Sequence, residues 1–293
     1  MALGRRSTGT VHETGDSGST GGRRAVTEAA SPRPWWVKTL RWIGEFLIYL
    51  VVALLVVTLL RIFLVEPFLV PTGSMENTLM GQETTADGSR TRGDTILAWK
   101  PGAPQRGEIV VFRDDLNWLA PLTGQPPAWK QALAWVRILP PQDEQFLVKR
   151  LIGLPGDHVT CCDVAGRITV NGQPLDESSY LYTDSQGNQA APSTYHFDLV
   201  VPAGHIFVMG DHRNDSLDSR GWLCGGTYNS VSSSPTPELA FPSIDSIQGQ
   251  AVAILAPFSR LRTFSIPDTF STVPEPSSPA PPTPTVSWTC PLQ

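Results

Sequence analysis

Eighteen residues, Ile43 to Leu60, read "IGEFLIYLVVALLVVTLL", with one charge, Glu45, near the start. At a helical rise of about 1.5 Å per residue the run spans roughly 27 Å, the thickness of a bilayer's hydrocarbon core. A core helix of a soluble domain is rarely apolar on every side over that length. A cleaved leader would need a shorter preceding segment and a small-residue site after the run, and neither is present. An uncleaved membrane anchor fits best. "RIFLV" extends the run, with Arg61 placed to snorkel, and Trp35, Trp36 and Trp42 stand at its near end as interfacial aromatics do. Arg5, Arg6, Arg23, Arg24, Arg33, Lys38 and Arg41 precede it, against Glu13, Asp16 and Glu28. The positive side stays inside, which predicts a cytoplasmic N-terminus and everything after Val65 outside the cytoplasmic membrane. The later run "AVAILAP" is too short for a second span, so a single pass is expected.

The anchor divides the chain. Residues 1–34 are Gly, Ser and Thr with scattered charge, the composition of a disordered cytoplasmic leader. Residues 35–65 form the anchor, and 66–268 the folded body, with an insert at 114–145. Residues 269–293 are Pro-rich and predict a disordered tail. A net charge of −5 argues against a nucleic-acid partner. Four cysteines, Cys161, Cys162, Cys224 and Cys290, are too few for a disulfide scaffold and fit no zinc spacing, so no metal is expected. In an oxidising exterior, Cys161 or Cys162 is expected to pair with Cys224, in preference to a Cys161–Cys162 bridge.

Beyond the anchor the pattern is strand-like. "DTILAWK", "GEIVVFR", "QFLVKRLIG", "RITVNGQPL", "FDLVV", "HIFVMGD" and "GQAVAILAP" are short runs separated by turn residues. They predict a mainly β, antiparallel domain. Within the insert, "PAWKQALAWVRIL" places Trp129, Leu133, Val136 and Leu139 at helical spacing. Such a helix either covers the sheet or lies on lipid.

The chemistry centres on Ser74 in "PTGSMENTL". Most serines in such turns only cap backbone groups, so this one needs a base. Among the histidines, His158 and His212 follow Asp157 and Asp211, but sequence neighbours do not make a triad. In "QFLVKRLIGLPGD", strand alternation puts Leu147, Lys149 and Leu151 on one face and Val148, Arg150 and Ile152 on the other. A lysine between two leucines is an edge gatekeeper if that face is exposed. If the face is buried, the lysine loses proton affinity; a drop of about three pKa units, roughly 4 kcal/mol, leaves an amine able to deprotonate a serine. "VMGDHRNDSLDSRGW" is a dense polar loop after an apolar strand, read either as a solvated Asp–Arg turn or as a holder of functional groups.

Together these segments resemble the type I signal peptidases of bacteria, leader peptidases with a Ser-Lys dyad. "PTGSMENTL" resembles the nucleophile box, "FLVKRLIGLPGD" the lysine box and "MGDHRNDSLDSRGW" the Gly-Asp and Asp-Ser-Arg box. "RGEIVVFR" resembles a fourth, strand-forming box. The resemblance runs from Leu47 to Pro257, and the long insert with "HVTCCDVAGRITVNGQPLDE" is similar to actinobacterial members. It implies a membrane-bound serine endopeptidase that removes signal peptides from exported preproteins, without cofactor or metal, and acts as a monomer beside the lipid bilayer. It implies Ser74 as nucleophile and Lys149 as general base. It also implies an oxyanion hole from the Ser74 N–H and the Thr72 hydroxyl, where many relatives carry Ser. Ser216 would bond and orient the lysine amine, and Gly210, Asp211, Arg213, Asp218 and Arg220 would build the supporting loop. Met75 would line the substrate cleft. His212 stands where many relatives have Asn, and no catalytic role is assigned to it. Two other classes share parts of this pattern. A self-cleaving repressor-type peptidase uses Ser-Lys chemistry but needs a DNA-binding domain, and a membrane scaffold protein needs no chemistry at all.

Overall fold

The computed structural model describes residues 35–82, 91–122, 124, 126–135, 144–223, 226–227, 230–231 and 236–289. The leader, Val136, Leu139, Cys224 and Cys290 lie outside the described residues. The chain divides into two compact units, Met1–Leu50 and Val51–Gln293. Helix α1, Trp35–Phe63, has 29 residues, none of them buried. Its most apolar stretch has a mean hydropathy of 2.8, so by length and composition it qualifies to cross a membrane. Glu45 is paired with Arg41 one turn earlier at 2.9 Å, which mutes the charge inside the apolar run.

In chain order the strands are β1 (Val65–Leu69), β2 (Thr95–Trp99), β3 (Ile109–Arg113), β4 (Phe146–Gly153), β5 (His158–Cys161), β6 (Ile168–Val170) and β7 (Gln173–Pro174). They continue with β8 (His196–Val200), β9 (Phe207–Met209), β10 (Gly226–Thr227), β11 (Ser230–Val231), β12 (Ile247–Ala256), β13 (Arg262–Thr263) and β14 (Thr285–Thr289). One sheet has the order β1-β2-β12-β3-β4-β9, with β13 on β12; a second has the order β14-β8-β5-β6-β7. Every pairing is antiparallel. The architecture is the mainly β one the strand pattern predicts, with few helices and the apolar helix at its start.

Two apolar cores explain the continuous runs. In β3, Ile109 and Val111 pack with Phe68, Ile96, Val148 and Ile254. Val110 and Phe112 join a larger core with Leu151, Phe207 and Phe241. A strand buried on both faces reads as "IVVF" rather than as an alternation.

Two expectations change, and one open choice narrows. The Pro-rich tail is ordered through Thr289. Phe270 and Val273 are buried, Val286 packs against the larger core, and β14 pairs with β8 along its whole length. Prolines donate no N–H, yet their carbonyls still accept: Pro281 from Ala203 N–H at 2.8 Å and Pro274 from the Asn171 side chain at 2.8 Å. A few apolar side chains at the right places, and the open edge of β8, outweigh the composition. Helix α2, Ala128–Trp135, forms within the insert but buries nothing, so it does not cover the sheet. Cys161 is joined to Cys162, which replaces the expected bridge to Cys224. His196 lies within 4.8 Å of those two sulfurs, already bonded to each other.

Candidate active site

Ser74 is presented by a single 3-10 turn, Gly73–Met75, entered from extended Thr72. Such a turn rotates by about 120° per residue, so adjacent side chains diverge. Ser74 faces a cleft, while Met75 and Leu79 are fully buried in the smaller core. Met75, expected to line the cleft, is therefore an anchor of the turn, and its sulfur accepts the Asp211 N–H at 3.4 Å. Behind the turn lies Gly81, where an added Cβ would come within 2.1 Å of the Thr72 carbonyl carbon. Only glycine lets the two backbones meet there.

Lys149 comes from β4, whose residues Val148–Gly153 are all buried. Its Nζ lies 2.5 Å from Ser74 Oγ, and it is 2 % exposed. Burial lowers its pKa from 10.5 to about 8; Asp218 pulls it back up, Arg220 pushes it down, and Asp211 and Asp215 raise it. The gatekeeper reading fails on burial. Thr72 Oγ1 stands 3.3 Å from Ser74 Oγ, so the hydroxyl expected to hold an oxyanion is beside the serine. His212 is turned elsewhere. Its backbone N–H donates to Ser74 O at 3.1 Å, its Nδ1 lies 3.1 Å from Glu76 Oε2 and 3.3 Å from Gly73 O, and its ring stacks on Tyr182.

The polar loop after β9 binds both partners together. Asp211 accepts two bonds from Arg150, at 2.8 and 2.6 Å, and one from Thr78 Oγ1 at 2.6 Å. Arg150 adjoins the lysine, and Thr78 follows the serine turn, so one carboxylate ties the two segments. Asp218 forms a two-pronged pair with Arg220 and accepts the Gly210 N–H at 2.9 Å. Burial works to raise the Asp218 carboxyl, but Arg220 and Lys149 hold it below its usual value. Arg213 pairs with Glu177 and donates to Gly210 O at 2.9 Å. At Gly210, an added Cβ would meet Ser216 Oγ at 2.2 Å and Ser74 O at 2.5 Å.

Ser216 differs from expectation: its hydroxyl is buried against Gly210 and bonds to no partner, Lys149 included. It lies on the same cleft, and its hydroxyl fills the space that a side chain at Gly210 would need.

That cleft has a volume of about 590 Å³ and runs past Pro71–Ser74, Leu147 and Lys149 to the 214–217 loop. Sequence reasoning missed Gln82, Trp118, Leu119, Asn214 and Leu217 among its walls. It also missed the Glu177 partner of Arg213, thirty-six residues away in sequence. A signal for Arg150–Asp211 was present, because an arginine beside Lys149 puts a charge on each face of one buried strand and so demands an acid.

A hydroxyl held beside a buried amine, on an antiparallel β body that follows a membrane-length apolar helix, defines a class: hydrolases that work at a membrane. The family model for signal peptidase, peptidase S26, matches residues 43–255. The chain is 37% identical over 217 residues to a signal peptidase I of Mycobacterium tuberculosis (strain CDC 1551 / Oshkosh), covering 70% of each chain. It is 31% identical over 244 residues to a probable signal peptidase I of Mycobacterium leprae (strain TN), covering 74% of this chain and 77% of that one. With the signal peptidase I of Pseudomonas aeruginosa it shares 32% over 194 residues, 58% of this chain and 59% of that one. The chain belongs to the signal peptidase (peptidase S26) family, with mycobacterial relatives that agree with its actinobacterial resemblance.

Proposed function

We propose that this protein is a membrane-bound serine endopeptidase that cuts signal peptides from exported preproteins, with Ser74 as nucleophile and Lys149 as general base. The observation that carries the roles is the buried Lys149 Nζ at 2.5 Å from Ser74 Oγ. Family membership supports the substrate.

In this mechanism the neutral Lys149 amine takes the Ser74 proton as Oγ attacks the scissile carbonyl. The tetrahedral oxyanion is held by the Ser74 N–H and the Thr72 hydroxyl; one such donor is worth about 3 kcal/mol. Collapse breaks the peptide C–N bond, and the ammonium of Lys149 gives its proton to the leaving amine. Water, deprotonated by the same amine, then releases the acyl group. The substrate adds as an extended strand. β9 pairs with β4 only from Arg150 onward, so among the described residues Phe146–Lys149 pair with β3 on one side alone, and their other edge is open to a peptide. The N-terminus lies in the cytoplasm and the body outside, beside the membrane where signal peptides emerge.

The test is cleavage of a preprotein by the full-length protein in detergent. Ser74→Ala and Lys149→Ala each abolish processing while circular dichroism stays native. Substantial activity in Lys149→Ala removes the dyad, and a complete loss in His212→Ala restores a histidine base.

A further inference from the structure

Residues 114–145 look in the sequence like a peripheral insertion, and their helix α2 buries nothing. The base of the insert behaves differently. Asp114 N–H donates to Gln145 O at 2.9 Å, which closes the insert's two ends on each other. The Asp114 carboxylate accepts the N–H groups of Trp118 and Leu119, each at 2.8 Å. Trp118 is 2 % exposed and donates its Nε1–H to Leu239 O at 2.8 Å. Its ring stacks on Trp222 with centroids 6.0 Å apart and meets Phe112 edge-on. Trp222 belongs to helix α3 (Ser219–Leu223), which continues the loop that carries Ser216 and Leu217. Trp118 is therefore fixed by its backbone, its indole N–H and its ring, and Leu119 beside it by its backbone N–H; both line the cleft that holds Ser74 and Lys149. With Leu147 and Leu217 they form its apolar wall.

We propose that Leu119, braced by Asp114 and Trp118, determines which side chains the cleft accepts next to the scissile bond: small apolar ones pass, bulky ones meet the leucine wall. This rests on the cleft being the peptidase site. The physical ground is that the Leu119 backbone, held by Asp114 beside the packed Trp118, resists moving away from a larger residue, so size discrimination is not lost to backbone relaxation. In hydrophobic pockets one methylene is worth about 10- to 200-fold in selectivity.

The test uses full-length protein in detergent and peptides carrying Ala, Leu or Phe in turn at the two residues on each side of the cut. Leu119→Ala is expected to raise the kcat/KM ratio of Leu over Ala peptides about tenfold at one of these positions, through KM rather than kcat. Leu119→Phe moves the same ratio the opposite way. Trp129→Ser, on the exposed α2, leaves it at the wild-type value. Leu119 variants that melt as wild type and keep its ratios at all four positions overturn the proposal. If unsubstituted protein cleaves no peptide, the function reading fails instead. The wall is then judged by calorimetric binding of the same peptides to Ser74→Ala with and without Leu119→Ala: a tenfold change in preference supports it, and an unchanged preference overturns it.

Discussion

Lys149, the proposed base, shows how one side chain would trade stability for chemistry. Its folded pKa of about 8 lies below the ordinary 10.5, so between those values the unfolded chain binds more protons than the folded one. Its contribution to stability is fully present above 10.5 and is lost as pH falls through about 8. At neutral pH the penalty is about 3 kcal/mol. Lys149→Met is therefore expected to be inactive yet more stable near pH 7, with the gain shrinking as pH rises toward 10; denaturant titrations across that range measure it. The same pKa sets the activity profile. Because the proposed base must act as the neutral amine, kcat/KM is expected to climb about tenfold per pH unit below 8 and to level above it. A profile flat from pH 6 to 9 excludes Lys149 as the base. The buried charges beside it, Arg150, Asp211, Asp218 and Arg220, behave in the opposite way, since each is already paired. Removing one partner, as in Asp211→Asn, strands Arg150 in the interior and is expected to cost about 3 kcal/mol or more in chemical denaturation.

Among the elements, the tail is where composition misleads most. Its prolines and serines predict disorder, and an isolated segment of that kind buries too little to stay folded. Here the surface it needs is supplied by another part of the chain. Phe270 fills the space above Gly107, where an added Cβ would stand 2.5 Å from its ring, and β14 closes the edge of β8. Phe270→Ala is expected to destabilise the body by about 3 kcal/mol, read as a lower melting temperature. A change under about 0.5 kcal/mol, the usual size for an exposed site, shows the tail to be ornamental. The insert is the reverse case. Its helix was legible from the spacing of Trp129 and Leu133, but the residues that matter to the cleft, Trp118 and Leu119, lie in an irregular stretch that no periodicity marks.

For the whole molecule, α1 qualifies by length and composition to cross a membrane, and under the proposed function that places the chemistry beside it. The basic residues before α1 predict that the leader stays in the cytoplasm. Protease added to inside-out membrane vesicles is expected to remove the leader alone, and protease added to spheroplasts to digest the body. Protection of the leader in inside-out vesicles reverses the orientation and moves the cleft to the wrong side for exported substrates.

The sequence by itself determined the apolar helix and the strand-rich body, and it singled out Ser74 and Lys149 as candidates. Those are local properties: hydropathy over one helix length, alternation over one strand, and short motifs whose residue types limit the chemistry. Tertiary structure decided what depends on partners distant along the chain. It buried Lys149 against Ser74, seventy-five residues away in sequence, and so made it a candidate base rather than an edge lysine. It turned Met75 into the core and left the Ser216 hydroxyl against Gly210. It ordered the tail and brought the base of the insert to the cleft. Burial and pairing follow from the packing of the whole chain, and no window of sequence contains them.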